Sequence, residues 1–314
     1  MSGEKLKTQN SKLKTAPIFL AGPTAVGKSE IALALAEKIG GEIISVDSMQ
    51  VYRGLDIGTA KPSAEERKKV SHHLIDVVEL NETFDAAKFV SLARKAEQEI
   101  QSRGRVPIFC GGTGLYFSAY LQGLGDAPPA NLKLRAELQA APLEELLREL
   151  KERDPATYEK IDRQNPRRVI RAVEVIRLTG KPFSTQRADW QNSSLVTRHS
   201  SLLFGFTRSD SDLHARINAR VDKMFRDGLV AETEKLLKRG LAENKTAMQS
   251  LGYRQVVEYL RGERSLEETI ELVKIRTRQF AKRQMTWFRR QLELEWIDLS
   301  KLTSVEAVDL LASN

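Results

Sequence analysis

The sequence contains a single cysteine, Cys110, and only four histidines among its 314 residues. One cysteine excludes a disulfide framework, and a reducing cytoplasmic location is expected on that ground. The histidines show no zinc-ligand spacing, and the adjacent pair His72 and His73 cannot face the same way on a regular element. We therefore interpret the histidine pair as structural or pocket-lining, and Cys110 as a buried strand residue.

Long apolar runs are also absent. No segment approaches the roughly 18 apolar residues that a membrane helix needs, so we expect no membrane contact. The apolar residues 18–21 form too short a run for the core of a signal peptide. The polar, lysine-bearing residues 1–16 before them are predicted to form a flexible tail.

The positive charge is unevenly distributed along the chain. The 50 Lys and Arg residues exceed the 42 Asp and Glu residues, which gives a net charge of +8. Residues 272–291 contain seven Lys and Arg and no acid, and residues 163–171 contain four arginines and no acid. Concentrated positive charge is typical of proteins with a polyanionic partner such as a nucleic acid, although a solvated helix face explains it equally well.

Short apolar segments alternate with amphipathic segments at the start of the chain. Strands are predicted at 17–21, 43–46 and 106–110, and helices at 30–39 and 86–100. This alternation indicates an α/β fold with a P-loop-type parallel sheet flanked by helices. In such sheets, ligands bind beyond the carboxyl ends of the strands.

The pattern changes after Gly125 to helical stretches that end in a polar loop. A core-like strand then returns at 201–206, and mainly helical sequence follows it. We therefore predict a P-loop core domain formed by residues 17–125 and 201–314, interrupted by a helical insertion domain at 126–200.

A glycine-bearing loop between the first strand and the first helix matches the phosphate-binding P-loop motif in full. Its residues are Gly22, Pro23, Thr24, Ala25, Val26, Gly27, Lys28 and Ser29. Backbone N–H groups and the helix N-terminus would bind phosphate oxygens, Lys28 would add positive charge, and Ser29 would offer a hydroxyl to Mg²⁺. The motif does not distinguish ATP or GTP from a smaller diphosphate, so a kinase remains possible.

A carboxylate, Asp47, follows the second predicted strand at the edge where ligands bind. From its position alone, Asp47 could hold Mg²⁺, cap the next turn or accept a proton. A further turn at 111–114 follows the third predicted strand and ends at the same edge of the sheet.

Several longer runs resemble the bacterial tRNA dimethylallyltransferases, members of the tRNA isopentenyltransferase family. In family order, the runs are residues 22–29, 44–62, 72–76, 111–116, 165–168, 171–175, 251–255 and 278–289. The resemblance implies transfer of a dimethylallyl group from dimethylallyl diphosphate to N6 of adenine 37 in tRNA, next to the anticodon, with release of diphosphate. It implies Mg²⁺ as cofactor and the anticodon stem-loop as partner, and we expect a monomer.

The resemblance also implies roles for individual residues. Asp47 matches the general base, which takes a proton from the adenine amine. Thr24 lies in the diphosphate loop, and Arg216 and Arg220 resemble arginines near the diphosphate without indicating which one reaches it. The residues matching the family's tRNA contacts are Asp47, Ser48, Met49, Gln50, Thr113, Arg135, Gln164, Asn165, Pro166, Arg167, Arg168, Gln249, Ser250, Leu251, Gly252, Tyr253 and Arg254. Of these, Gln50 and Gln249 could read base edges.

Three other functions share part of this pattern. An adenylate isopentenyltransferase, which acts on free adenine nucleotides, shares the P-loop and the general base but needs neither the insertion nor the basic residues 274–290. A P-loop small-molecule kinase would use the loop for ATP. A non-catalytic RNA-binding module would need neither the P-loop nor Asp47.

Overall fold

The computed structural model describes residues 15–186 and 203–313, which form two compact units. The core unit contains the described residues up to Leu121 and from Leu203 onward, and the insertion unit begins at Gln122, where the sequence predicts 126. Most of the predicted tail, and the predicted polar loop that ends the insertion, lie outside the described residues.

The described residues of the core unit contain a six-stranded, all-parallel sheet. Its strands are β1 (Ile18–Ala21), β2 (Gly41–Val46), β3 (His72–His73), β4 (Val106–Gly111), β5 (Leu203–Thr207) and β6 (Glu295–Asp298). Across the sheet the order is β3–β2–β4–β1–β5–β6. The parallel sheet with flanking helices confirms the predicted α/β P-loop-type fold, while the short edge strands β3 and β6 were not predicted.

The central strands are apolar because both of their faces are covered. Successive side chains of a strand point to opposite faces of the sheet. Phe19 of β1 and its partner Phe109 of β4 stack on one face, with ring centroids 4.7 Å apart. Their neighbours Leu20 and Ile108 belong to the hydrophobic core on the other face. Burial on both sides explains why these strands lack the polar–apolar alternation of a half-exposed sheet.

Helices account for most of the remaining chain. They are α1 (Lys28–Ile39), α2 (Ala64–Lys69), α3 (Ala86–Ser102), α4 (Gly114–Gln122), α5 (Leu132–Ala140), α6 (Leu143–Arg153), α7 (Pro155–Lys160), α8 (Pro166–Thr179), α9 (Asp210–Arg226), α10 (Leu229–Leu237), α11 (Tyr253–Leu260), α12 (Leu266–Gln291) and α13 (Ser304–Ala312). Within the described ranges, no helix combines the length and apolar character that spanning a membrane requires.

The insertion unit has a small apolar core of its own, formed by α5, α6 and α8. The sequence predicts helical structure throughout 132–153, but the structure divides this segment into two helices on either side of Pro142. Proline lacks the backbone N–H that would continue a helix, which explains the break. Helix α8 begins with Pro166, and the side chain of Asn165 accepts a hydrogen bond from the Arg168 N–H as its N-cap.

Candidate active site

The P-loop joins β1 to α1 at the carboxyl edge of the sheet. Gly27 is the N-cap of α1 and has a φ of 110°, a left-handed conformation that favours glycine. A side chain at this position would also lie within 3.5 Å of the Arg208 guanidinium and 3.6 Å of the Arg216 guanidinium. The glycine therefore lets the backbone turn beneath two positive charges.

Two arginines are fixed against this loop by backbone carbonyl groups. Arg208 Nε donates to the carbonyl oxygen of Val26 at 2.7 Å, and Arg216 Nε donates to that of Ala25 at 3.0 Å. Arg208 also forms an ion pair with Asp212 at 2.6 Å. Sequence reasoning missed Arg208, although its position directly after β5, at the edge where ligands bind, is a signal that could have identified it.

A cavity of about 420 Å³ opens beside the P-loop. It is lined by Ala25, Gly27, Lys28, Ser29, Glu30, Arg216, Ala219, Arg220 and Lys223. The structure thus places both predicted diphosphate arginines at the P-loop. Four of the lining residues are cationic and one is acidic, which suits an anionic ligand.

Lys28 is held in this cavity by a backbone carbonyl group, because its Nζ donates to Pro23 O at 2.9 Å. Burial lowers the pKa of Lys28 to about 8; the nearby Arg220 adds to this effect, whereas Cys110 and Asp47 oppose it. Burial also lowers the pKa of Arg220, with Asp47 opposing it. A bound anion would favour the charged forms of both side chains.

Asp47 follows β2 and caps its own turn with one carboxylate oxygen. Oδ1 accepts hydrogen bonds from the Met49 N–H at 2.8 Å and the Gln50 N–H at 3.2 Å. Within residues 15–186 and 203–313, Oδ2 has no hydrogen-bond partner. One oxygen therefore orients the carboxylate while the other remains available, so capping and proton transfer are compatible roles.

Thr113 joins the turn after β4 to the Asp47 turn. Its N–H donates to Val46 O at 3.2 Å, and its Oγ1 accepts a hydrogen bond from the Ser48 N–H at 3.1 Å. Thr113 is half-buried, and its hydroxyl hydrogen is not used in that bond. The hydroxyl therefore holds the turn and can still donate a hydrogen bond.

Gln50 does not present a free amide. Its Oε1 accepts a hydrogen bond from Ser45 Oγ at 2.8 Å, and its Nε2 donates to Thr59 O at 3.1 Å. The prediction that Gln50 reads a base edge therefore receives no support from the structure, because the amide is bonded inside the protein. Gln50 instead ties the Asp47 turn to the loop that contains Thr59.

The predicted tRNA contacts at 249–254 divide into buried and exposed residues. Ser250, Gly252 and Tyr253 are buried, Leu251 is half-buried, and Gln249 and Arg254 are exposed. Arg254 Nε donates to Glu258 at 3.0 Å.

Tyr253 cannot offer its side chain to RNA as a surface residue would. Its ring has no exposed area, its Oη accepts the Gly58 N–H at 3.1 Å, and its O–H donates to Glu232. Burial raises the pKa of Tyr253 far above its ordinary value. The structure therefore places the Tyr253 side chain in the core, and the predicted contact of this residue with tRNA stays a prediction.

In the insertion unit, Arg135 is held by a buried carboxylate. Arg135 Nη2 donates to Glu174 Oε2 at 2.6 Å, and Arg171 Nη1 donates to the same oxygen at 2.8 Å. Burial tends to raise the pKa of Glu174, but the hydrogen bonds from the two arginines keep it below its ordinary value. The remaining donors of Arg135 are presented on a side chain that is about one third exposed (34%).

The other predicted contacts of the insertion unit lie where α8 begins. Gln164, Pro166, Arg167 and Arg168 are exposed there, and Asn165 is half-buried. This cluster adds positive charge to the start of a helix, whose N-terminus already favours anions. The cluster thus presents a basic surface to solvent.

Gln284 of α12 is a further residue at the site that sequence reasoning missed. It is 8% exposed, and its amide bonds to Thr24 of the P-loop and to Gly112 after β4. Although Gln284 lies in one of the runs that carry the family resemblance, nothing in the sequence distinguishes it from its neighbours. Its contacts connect residues far apart in the chain.

Among the described residues, no group of three or more His, Cys, Asp or Glu side chains is placed to hold a metal ion. The exposed Ser29 hydroxyl lines the cationic cavity as its predicted metal-binding oxygen. This donor set fits Mg²⁺, which usually keeps several waters and takes its other ligands from phosphate groups, and it does not fit zinc.

Comparison with known proteins identifies the family. A family model described as IPP transferase matches residues 50–291. The tRNA dimethylallyltransferase 2 of Geotalea uraniireducens is 45% identical over 285 residues, which cover 90% of this chain and 91% of that protein. The tRNA dimethylallyltransferase of Acetivibrio thermocellus is 44% identical over 296 residues, which cover 93% and 94%.

Solved structures agree with these matches. The full-length tRNA isopentenylpyrophosphate transferase of Bacillus halodurans is 40% identical, with a TM-score of 0.67 and 96% of each chain covered. A eukaryotic dimethylallyltransferase acting on tRNA is 27% identical, with a TM-score of 0.75, and the match covers 94% of this chain and 77% of that one. The predicted resemblance is confirmed, and the chain belongs to the IPP transferase family.

Proposed function

We propose that this enzyme transfers a dimethylallyl group from dimethylallyl diphosphate to N6 of adenine 37 in tRNA, next to the anticodon, and releases diphosphate. The observation that carries the proposal is the cationic P-loop cavity on the same sheet edge as Asp47, whose charge couples to Lys28 and Arg220 in that cavity. The names of the bacterial relatives supply the transferred group and the acceptor.

The donor's diphosphate would bind at the P-loop. Backbone N–H groups at the start of α1 would donate hydrogen bonds to its oxygens, and Lys28, Arg216 and Arg220 would supply positive charge. Mg²⁺ held by Ser29 and the diphosphate would help to neutralise the negative charge of the leaving group. The cations fixed by the loop serve the same purpose without reorganisation as the carbon–oxygen bond breaks.

The acceptor amine is a poor nucleophile because its lone pair is delocalised into the adenine ring. As the bond between N6 and the donor carbon forms, the nitrogen must lose a proton, and Asp47 Oδ2 is the free oxygen that would accept it. The carbon–oxygen bond to diphosphate breaks in the same exchange, so the electron pair leaves with the diphosphate. The base must first leave the anticodon stack, at a cost of a few kcal/mol.

Basic surfaces on each unit would bind the RNA backbone. In the insertion unit these are Arg135 and the residues at 164–168. In the core unit, Lys282, Arg283 and Arg290 line an exposed groove of about 520 Å³ on α12, close in sequence to Gln284. Contacts of this kind position the stem and make affinity dependent on salt.

The proposed reaction and the composition suit a cytoplasmic location, and the oligomeric state is a separate expectation. A tRNA acceptor and a single buried thiol suit the reducing cytoplasm of a bacterium. We expect a monomer. Light scattering of the protein as it elutes from a size-exclusion column, with and without tRNA, measures its mass directly. A dimeric mass would contradict that expectation.

Transfer of label from dimethylallyl diphosphate tests the proposal. The purified protein and Mg²⁺ are incubated with labelled donor and either tRNA carrying A36-A37 or AMP, with a tRNA carrying G37 as the matched control. We expect label only on the A37 tRNA, at N6 after digestion. Label on AMP would favour an adenylate isopentenyltransferase, ATP consumption without prenyl transfer would favour a kinase, and tRNA binding without transfer would favour an RNA-binding module.

A further inference from the structure

A buried side chain of α12 bridges two loops of the site. The Thr24 N–H of the P-loop donates to Gln284 Oε1 at 2.9 Å, and Gln284 Nε2 donates to Gly112 O at 2.8 Å. Both ends of the amide are therefore satisfied although the residue is only 8% exposed. Gln284 is the shared partner of two segments that are 88 residues apart in the sequence.

The bridge continues to the proposed general base. Thr113, the neighbour of Gly112, accepts the Ser48 N–H at 3.1 Å, and Ser48 directly follows Asp47. A continuous path of hydrogen bonds and single peptide steps therefore runs from the loop that would hold the donor to the carboxylate that would receive the proton. Gln284 is the one link in this path that lies outside the P-loop, the turn at 111–114 and the Asp47 turn.

The glycines of the second loop allow α12 to approach closely. A Cβ atom at Gly112 would lie 2.3 Å from Gln284 Nε2, and one at Gly114 would lie 2.2 Å from the Trp287 ring. Both distances are far shorter than a van der Waals contact, so a larger residue would require the Gln284 amide or the Trp287 ring to move. Helix α12 therefore positions the turn at 111–114 by close steric contact as well as by hydrogen bonding.

Gln284 differs from the other buried polar residues of α12. The hydroxyl of Thr269 donates to Ser265 O at 2.8 Å, and that of Thr277 donates to Val273 O at 2.7 Å, so both bonds stay within the helix and its N-cap. A threonine that bonds to its own helix can be replaced without disturbing either loop. The Gln284 amide, by contrast, bonds only to the two loops.

We propose that Gln284 is a positioning residue that fixes the separation between the donor loop and the Asp47 turn, an inference that rests on the proposed function. The reaction requires the donor carbon, N6 and the carboxylate to be aligned, and misplacement of about 1 Å can cost about 10²-fold in rate. Gln284 contacts neither substrate in this scheme and acts through Thr24 and Gly112.

Two substitutions at this position separate the effect of losing the bridge from the effect of introducing a negative charge. Q284M has a similar length but makes neither hydrogen bond, and we expect its single-turnover rate to fall roughly 10- to 100-fold, with the KM for each substrate nearly unchanged. Q284E keeps the acceptor for Thr24 but adds a negative charge beside the anion site. It is expected to slow transfer and also to raise the KM for the donor.

The matched control is T277V, which removes a buried hydroxyl from the same helix. We expect T277V to keep the wild-type rate even where its melting temperature falls as much as that of Q284M. A Q284M enzyme with the wild-type single-turnover rate would overturn the inference. Equal slowing in T277V would also overturn it, because the effect would then report on helix stability alone.

Hydrogen exchange provides a readout that needs no transfer activity. Loss of the bridge should speed exchange in peptides that contain the Thr24 N–H and the Ser48 N–H in Q284M, but not in T277V. Unchanged exchange at both sites would contradict the bridge. If the wild-type protein transfers no prenyl group while Q284M still shows faster exchange, the proposed function fails but the positioning of the loops stands.

Discussion

Strand β2 carries a carboxylate near each end, and the two are held in opposite ways. Glu42, near the start, is 3% exposed and faces His73 Nε2 at 2.7 Å, Arg103 at 2.8 Å and Arg105 at 3.7 Å. Asp47, just beyond the end, accepts two backbone N–H groups on one oxygen, and no other described residue bonds to its second oxygen. Glu42 is therefore paired with positively charged or hydrogen-bonding side chains, whereas Asp47 has one oxygen available to accept a proton.

Some of the positive charges at the two edges of the sheet follow the same division, although Arg208 at the carboxyl edge pairs with Asp212. At the amino edge, Arg103 and Arg105 are paired with an acid. At the carboxyl edge, Lys28 and Arg216 donate to carbonyl oxygens, and in the ranges that the structure describes neither makes an ion pair. Charge is left uncompensated where a ligand would compensate it, which is a pattern expected of a functional site.

The largest expected effect is that of Asp47→Asn. Asparagine can still cap the turn but cannot take a proton, so we expect the single-turnover rate to fall by about 10²- to 10⁴-fold while tRNA affinity is largely retained. Rapid-quench measurement of labelled tRNA gives the rate, and filter binding gives the affinity. An unchanged rate would remove Asp47 as the general base.

Charge reversal at Arg167 and Arg168 comes next. Both are exposed at the start of α8, and we expect the double Glu variant to bind tRNA roughly 10- to 100-fold more weakly, with a flatter dependence of affinity on salt. The matched control reverses Lys68 and Lys69, which are exposed at the end of α2 near the amino edge of the sheet. Equal loss in the control would assign the effect to net charge rather than to this surface.

The pH dependence of donor capture should be smaller. Burial lowers the pKa of Lys28 to about 8, so the free enzyme loses this charge as the pH rises through that value. We expect kcat/KM for the donor to decline above about pH 8, by roughly tenfold per pH unit at the limit. At saturating donor, kcat should stay level over the same range because bound diphosphate keeps Lys28 protonated. A flat kcat/KM profile would contradict the role of Lys28.

Much of the fold follows from local patterns in the sequence. The apolar runs of β1, β2 and β4 and the P-loop between β1 and α1 are each complete within a few residues. The two edge strands are not, because β3 consists of two histidines and β6 reads Glu-Trp-Ile-Asp. Their strand character comes from pairing with β2 and β5, which no local pattern reveals.

Prediction of the site from the sequence is limited in the same way. Its motif residues were predictable, whereas Arg208 and Gln284 reach the P-loop across 182 and 260 residues of sequence. The resemblance also assigned tRNA contacts to Gln50 and Tyr253, whose side chains the structure commits to internal bonds. A run that resembles the family identifies a region, and only the packing shows which of its side chains face a ligand.

The smallest effect is expected for Glu42→Gln, which tests the structural member of the pair. Burial tends to raise the pKa of Glu42, but the hydrogen bonds from Arg103 and His73 hold it below its ordinary value of 4.5. We expect the substitution to cost roughly 1 kcal/mol in the free energy of unfolding at pH 7, because both arginines can be rehydrated, and to spare the transfer rate.

The sign of the pH effect on Glu42 gives a second check. A carboxylate whose pKa is lowered by folding stabilises the folded state at pH values above its pKa in the unfolded chain. For Glu42, this stabilisation is lost as the pH falls below 4.5 and passes through the pKa of the folded state. Urea unfolding of the wild type and E42Q should therefore give midpoints that converge at acid pH. Midpoints that stay equally far apart down to acid pH would show that the ionised carboxylate is not the source of the difference.

The double variant Asp47→Asn with Glu42→Gln tests the central claim that chemistry and stability are divided between the two ends of β2. The residues lie five positions apart on an extended strand, about 16 Å, where independent effects add. The single-turnover rate of the double variant should equal the rate of D47N. Its free energy of unfolding should equal that of E42Q. A further loss of rate on adding E42Q to D47N would contradict the account.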